Sequence, residues 1–474
     1  MKPDVKNTEP RVSNAISHLA AGLRDAGVSL LTNHPGFRSN ELMDAFYGHG
    51  AMTSSSERNA YALAWGHAIG GLRAAVAFKN VGLSDAADPF LNSLNLDLNA
   101  GLVCLVFDDT DVEHSQLRMD ARHYQSFHGG IWLEPASLAE ARRFVKMAFD
   151  LSEQFSQPVV VRVTNALLAR GGWIPQQTEG ESAGPAAPGL EKRNPAGWVA
   201  HPLNYASRLE ALSAKRAEIY RWSERFSREQ NPRISTESEP LHIVFGAARV
   251  PKSVPADRVI HLSGLPLPVE FIREIAAGSS SIGVSEHGDA FVAERTRSIL
   301  FDHSVQFHEC GNRHPNRTYH CRDLLAPVFE ALRSFAAPVL VGDLGGYTMD
   351  TNRSIDACLC YGASIATATG IALARPEATV SVLCGDGAFL HSAKSAIAEA
   401  LARNCRLLVI VLENGGCRGT GGQCPPGDTW VEHPSVFEMK ATFDVEAHEA
   451  AVGAIRRVQE RPERVRVLHL QTPF

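Results

Sequence analysis

No Cys-X-X-Cys pair occurs in this sequence, although it carries nine cysteines. Zinc ribbons and ferredoxin-like iron–sulfur domains take their ligands from closely spaced thiolates, so no iron–sulfur cluster is expected on this chain. Cys104, Cys384 and Cys405 lie in or beside apolar runs and read as small core residues. Long hydrophobic stretches are missing too: none approaches the roughly 20 residues of a membrane-spanning helix. The opening MKPDVKNTEP is polar and has no signal-peptide core. Basic charge is not in excess, the formal net charge being −6. Nucleic acid and membranes are therefore not implied as partners, and a cytoplasmic protein is the expectation. At 474 residues the chain is long enough for several domains.

What is present is an alternation of apolar, β-branched runs with amphipathic stretches, the pattern of parallel sheets in an α/β fold. Runs at 28–32, 74–79, 101–107 and 159–164 read as strands, with helices at 57–69, 84–94 and 138–153. A proline-, glycine- and serine-rich linker follows, then a long charged amphipathic helix over 203–229 that reads as a spacer or packing arm. Strands at 242–245, 259–261 and 281–284 and a helix near 268–277 make a short middle unit. The Glu286-His287 pair after it reads as a surface turn. A last α/β segment has strands at 339–341, 379–384, 407–412 and 465–470 and helices near 391–403 and 445–457.

One stretch of that last segment carries chemistry. The run 379–384 ends in Gly385-Asp386-Gly387, and the next, 407–412, ends in Glu413-Asn414-Gly415-Gly416. Both polar clusters fall at carboxyl ends of neighbouring parallel strands, where α/β sheets bind ligands. The Asp386 carboxylate, the Asn414 amide oxygen and the Gly416 carbonyl would suit a magnesium ion sharing phosphate oxygens. Glycines let the backbone approach the phosphates, and a helix N-terminus adds partial positive charge. The bland reading of GDG is an ordinary turn; Asn414 at this distance, after the next strand, is what argues against it. For Glu57, which opens a helix at Ser56-Glu57-Arg58, a helix N-terminal charge is as good a reading as a catalytic one.

GDG followed by Asn414 resembles the thiamin-diphosphate motif, with Glu413 where that motif has a first asparagine. With GDLGGYT at 342–348, CYGASIATATG at 360–370, FKNVGLSDAADP at 78–89, EHSQLRMDARHY at 113–124 and LSGLPLP at 262–268, the chain is similar over roughly 12–470 to the catalytic subunit of indolepyruvate:ferredoxin oxidoreductase. The resemblance implies parallel doubly wound sheets in three domains. A pyrimidine-binding domain at 1–172 comes first, then the linker and long helix at 173–240. A transketolase C-terminal-like domain at 241–304 and a diphosphate-binding domain at 305–474 follow. It also implies thiamin diphosphate and Mg²⁺, bound between the first and last domains of different subunits of at least a homodimer. Glu57 would bond N1′ of the aminopyrimidine, so that the ring's imino nitrogen can take the C2 proton, with its own pKa raised by burial. Tyr361 stands where relatives have the methionine wedge that bends the cofactor, and the Leu359 carbonyl would face the 4′-amino group. Gly36, Gly82, Gly345, Gly362, Gly385, Gly387 and Ala388 would line the cofactor.

Departures from that family shape the functional expectation. Its eight-cysteine C-terminal extension has no counterpart here, and its CPGCPHR segment is replaced by ECGNRHPNR at 309–317. Phe37-Arg38 replaces a Thr-Pro pair, which with Gln116 would shape the substrate pocket. The favoured expectation is non-oxidative decarboxylation of a 2-oxo acid, ending in aldehyde release or in acyloin formation with an aldehyde or other carbonyl acceptor. His34, His114, His123 and His391 are the candidate proton relays, with His114 and His391 favoured, although each taken alone reads more readily as a structural histidine. The alternatives are a 2-oxoacid:acceptor oxidoreductase subunit whose clusters lie on a second subunit, and an inactive regulatory homologue.

Overall fold

A computed structural model describes residues 11–36, 38–110, 119–171, 173–175, 193–201, 204–232, 240–301, 323–416, 423–425 and 427–472. The apolar runs become parallel strands covered on both faces, which is why their sequences are apolar throughout instead of alternating. The first sheet has seven strands, ordered 264–265, 132–133, 159–164, 102–108, 74–79, 30–33 and 51–53. Its one antiparallel member, Gly264–Leu265, comes from the middle of the chain and pairs with Trp132–Leu133. Leu102–Asp108 is buried along its whole length. The last sheet has five parallel strands, ordered 338–342, 379–385, 407–413, 465–471 and 436–442. A three-stranded parallel sheet, 259–262, 241–245, 282–285, lies between them in sequence. The multidomain α/β architecture read from the sequence is thus present.

The long helix, Tyr205–Gln230, is a packing arm. It sets Ile219, Trp222 and Phe226 into the core behind the first sheet, with the Trp222 and Phe226 rings stacked at 5.1 Å. Two expectations need correction. The helix expected over 391–403 starts earlier, at Asp386, and is irregular: a π turn at Phe389–Ala393 and a 3₁₀ turn at Lys394–Ala396 precede Ile397–Ala402. The wide turn sets His391 and Ser392 against Gly362, and Ser392 Oγ donates to the Gly362 carbonyl at 3.0 Å. Glu286-His287 is no free surface turn either. Buried Arg122 donates to Glu286 Oε2 at 2.6 Å and to the His287 carbonyl at 2.8 Å, tying the middle sheet to the first.

The first and last sheets are joined by two helices, Glu57–Ile69 and Ser364–Ala374, each almost wholly buried. Small residues let their backbones touch. A Cβ on Gly66 would stand 2.0 Å from the Thr367 carbonyl oxygen, and one on Gly370 would stand 2.0 Å from that of Leu63. His67 sits in this seam, its Nδ1 at 3.2 Å from the Gly370 carbonyl and its Nε2 at 2.9 Å from Ser29 Oγ. Burial lowers its pKa to about 4, with the Gly370 bond pulling the other way. The unfolded chain therefore takes up this proton near pH 6.5, the folded chain not until about 4. Stability is lost as pH falls through that window, by up to ~3 kcal/mol. Urea unfolding at pH 7 and pH 5 should show the wild type losing ~2 kcal/mol more than His67→Gln. Equal losses would mean that His67 is not held neutral in the seam.

Candidate functional site

At the carboxyl edge of the last sheet, Asp386 and the 414–416 turn come together as the sequence spacing suggests. Strands 379–385 and 407–413 are direct neighbours, with Gly385 opposite Leu412. Asp386 is buried; its Oδ1 accepts from Gly387 N at 2.7 Å and its Oδ2 from Gly415 N at 3.0 Å. Asn414 Oδ1 accepts from Gly416 N at 3.3 Å. Gly415 needs its glycine, having φ of +72°. A Cβ built on Gly385 or Gly415 would meet no heavy atom within 4 Å, which leaves room for phosphates beside the carboxylate. The donor set is one carboxylate, one amide and backbone oxygens, all hard ligands, and it fits a diphosphate-bound magnesium ion. Among the described residues no group of three His, Cys, Asp or Glu is placed to hold a metal, so a cation here would depend on amide, carbonyl and ligand oxygens beside the single carboxylate.

Glu413, where the motif has asparagine, turns its carboxylate elsewhere. It accepts from Thr429 Oγ1, lies 3.1 Å from His469 Nδ1 and pairs with Lys440 at 2.8 Å. The substitution thus leaves Asn414 and Asp386 undisturbed. A second buried acid, Asp343, organises the neighbouring turn: it accepts from Leu344 N at 2.9 Å, Gly362 N at 2.7 Å and Ser364 N at 3.2 Å. Burial pushes its pKa up, against those three bonds. It fixes the backbone that follows Tyr361, where Gly362 has φ of +78°. The Tyr361 ring meets the exposed His391 ring edge-to-face at 5.1 Å. Leu359 and Ala388 are buried nearby in sequence, at the same sheet edge.

Glu57 begins its helix at the carboxyl edge of the first sheet, after strand Ala51–Thr53. Ser56 caps that helix by accepting from Asn59 N at 3.2 Å. Glu57 is half-buried, and a Cβ on Gly82 would stand 2.8 Å from its Cγ and Oε1, so glycine at 82 makes room for the carboxylate. The two sheet edges meet around it within one chain. Arg58 donates to the Tyr361 carbonyl, Asn59 Nδ2 to Ser395 Oγ at 3.2 Å, and Ser55 N to Glu399. Arg403, paired with buried Glu399, donates to the Thr53 carbonyl at 2.8 Å. Within one chain, these bonds join the carboxyl edges of the first and last sheets.

The remaining expected residues are less central. His34 Nδ1 lies 2.9 Å from the Ser54 carbonyl, on the approach to Glu57. Gly36 stands near Lys79, and Gly345 begins a short 3₁₀ turn, Gly346–Met349. Arg38, expected in the substrate pocket, adopts φ of +58° and pairs with Glu41 in the following helix. Phe37, His114, Gln116 and the 309–317 segment lie outside the described residues. Both flanks of 111–118 are nonetheless firmly held. Asn80 Nδ2 donates to Asp108 at 2.8 Å, to Asp109 at 2.5 Å and to the Met119 carbonyl at 2.5 Å. Burial pushes Asp120 up, but Arg122 and Arg162 more than offset it and hold it at about 2. Arg58, Asn80, Asp343 and the Glu399–Arg403 pair were assigned no role from sequence. Asn80 lay in the FKNVGLSDAADP motif and Arg58 beside Glu57, and Asp343 carried a signal as a second Gly-Asp at a strand end.

Residues 343–468 match the family of the thiamine pyrophosphate enzyme C-terminal TPP-binding domain. Indolepyruvate oxidoreductase subunit IorA of Thermococcus kodakarensis is 25% identical over 88% of this chain and 76% of its own length. The same subunit from Archaeoglobus fulgidus is 25% identical over 86% and 75%. The chain is thus similar to thiamin-diphosphate-dependent enzymes and resembles IorA. Benzoylformate decarboxylase from Polynucleobacter necessarius shares its fold, with a TM-score of 0.52 at 12% identity over 96% of this chain and 98% of that one. Among the described residues no helix is long and apolar enough to cross a membrane.

Proposed function

We propose that this chain decarboxylates a 2-oxo acid on thiamin diphosphate held with Mg²⁺ between Glu57 and the Asp386–Asn414 edge. When bound, the cofactor supplies a nucleophilic carbon for the ketone and an electron sink for the departing CO₂. Asp386, Asn414 and the Gly416 carbonyl hold the ion and with it the diphosphate. Glu57 holds a proton at N1′ of the pyrimidine, and the Tyr361 turn sets the bend. The observation that carries this reading is the meeting of the Glu57 helix start with the Tyr361 turn in one chain.

The fate of the carbon left behind is non-oxidative in this proposal: a proton or a second carbonyl is added to it. His391 supports that reading, because its exposed imidazole against the Tyr361 ring offers a proton donor in contact with solvent. The IorA relatives favour a second reading, in which electrons pass to an acceptor carried by a partner subunit. We divide the chain as expected, into pyrimidine, middle and diphosphate domains at 1–172, 241–304 and 305–474, and leave homodimer formation as part of the same proposal. Incubating the purified protein with aryl and aliphatic 2-oxo acids, with and without an aldehyde and a viologen dye, separates the readings. Aldehyde or acyloin formed without dye is the expected result. CO₂ release only with dye and an added iron–sulfur partner would overturn the non-oxidative fate.

A further inference from the structure

The Arg58 guanidinium lies between the two halves of the cleft, and its three acceptors belong to both. Nη2 donates to the Tyr361 carbonyl, to Asp88 Oδ2 at 2.8 Å and to Cys360 Sγ at 3.6 Å. Its own backbone N–H donates to Asp85 Oδ2 at 3.0 Å. Asp85 and Asp88 lie in the helical stretch that follows Gly82, the residue packed on Glu57. The Arg58 side chain is 14% exposed and its bond to the Tyr361 carbonyl is part-buried, while Asp88 is 46% exposed and open to water. From the other side Asp343 holds Gly362 N, and Ser392 Oγ holds the Gly362 carbonyl. The backbone from 360 to 362 is thus gripped from the last sheet by Asp343 and Ser392 and from the first by Arg58. The grip from the first sheet comes from the residue adjoining Glu57.

We propose that Arg58 is a positioning residue that fixes the distance between the Glu57 carboxylate and the Tyr361 turn. The inference rests on the cofactor reading above. In that reading Glu57 reaches one edge of the aminopyrimidine while the 359–361 backbone faces another. Shifting the ring between its amino and imino forms would need Glu57 at N1′ and the backbone acceptor at the 4′-amino group within hydrogen-bond reach at once. A guanidinium suits the task because several fixed N–H groups can serve a carbonyl and a carboxylate together, whereas an ammonium is a single point charge on a flexible stem. Arg58 touches neither cofactor nor substrate in this arrangement; it acts through Glu57 and Tyr361.

The test compares wild type, Arg58→Met and Arg58→Lys in the full chain. Three quantities are measured: cofactor affinity by fluorescence titration with Mg²⁺, thermal midpoint, and hydrogen–deuterium exchange at C2 of bound thiamin diphosphate by quenched NMR. The expected result for Arg58→Met is exchange slowed ~10²-fold with affinity changed only a few-fold. Arg58→Lys should recover part of the exchange rate at unchanged affinity. Exchange as fast as wild type in both variants would overturn the proposal. So would a loss of exchange that merely follows lost affinity and a lowered midpoint in both, since that would mark a structural tie. Failure of the wild type to bind the cofactor would instead overturn the cofactor reading itself.

Discussion

Replacing Glu57 with glutamine should reduce turnover of a 2-oxo acid by roughly 10³-fold, the range expected when a general acid–base group is removed. Thiamin diphosphate affinity should stay within a few-fold of wild type, because the amide keeps the shape and one hydrogen bond worth about 1 kcal/mol. The split follows from where Glu57 sits. It opens its helix, capped by Ser56, and Gly82 leaves space for its carboxylate. Asp386 and Asn414, the proposed ion ligands, follow strands of a different sheet and are untouched by the change. Steady-state kinetics together with a binding titration check both halves of this expectation. Full activity in Glu57→Gln would remove the proton-holding role, and lost binding with lost activity would make Glu57 a structural residue.

A second large effect is expected at Gly66, far from any chemistry. Alanine in an ordinary helix interior is worth up to about 1 kcal/mol more than glycine. Here a Cβ would fall 2.0 Å from the Thr367 carbonyl oxygen, well inside van der Waals contact. Nor can the neighbour yield easily, since that oxygen is helix backbone. Gly66→Val should therefore cost on the order of 3 kcal/mol, at the upper end for overpacked sites. The two helices would separate, and with them the sheet edges that carry Glu57 and Asp386. Cofactor affinity should fall along with the thermal midpoint, unlike the Glu57 result. A Gly66→Val protein with wild-type midpoint and affinity would show that the cleft does not depend on this crossing.

The strands of both large sheets were legible because buried parallel strands are written as unbroken β-branched runs, as in 102–108 and 407–413. Short or partly exposed strands were not: Ala51–Thr53 has three residues, and the edge strand Val436–Thr442 mixes Glu438 and Lys440 with its apolar positions. The break in the helix after Asp386 was hidden because alanine-rich text suits any helical turn, and the π turn reflects packing against Gly362. In the site, Asp386 and Asn414 could be paired from sequence, since adjacent parallel strands bring their ends together. Arg58 could not. Its partners lie thirty residues or more away in the chain at Asp88 and at Tyr361, and the Tyr361 contact crosses from the first unit to the last, as the Gly66–Gly370 seam does. The same seam joins the two sheets within one chain, a geometry that no local motif encodes.

The most direct test of the central claim, a magnesium-dependent thiamin diphosphate site between Glu57 and Asp386, is calorimetric titration of the purified protein with the cofactor in Mg²⁺ and again in EDTA. One saturable site per chain in Mg²⁺, with binding strongly weakened in EDTA, is the predicted result. No binding in Mg²⁺, or equal affinity in EDTA, would contradict it.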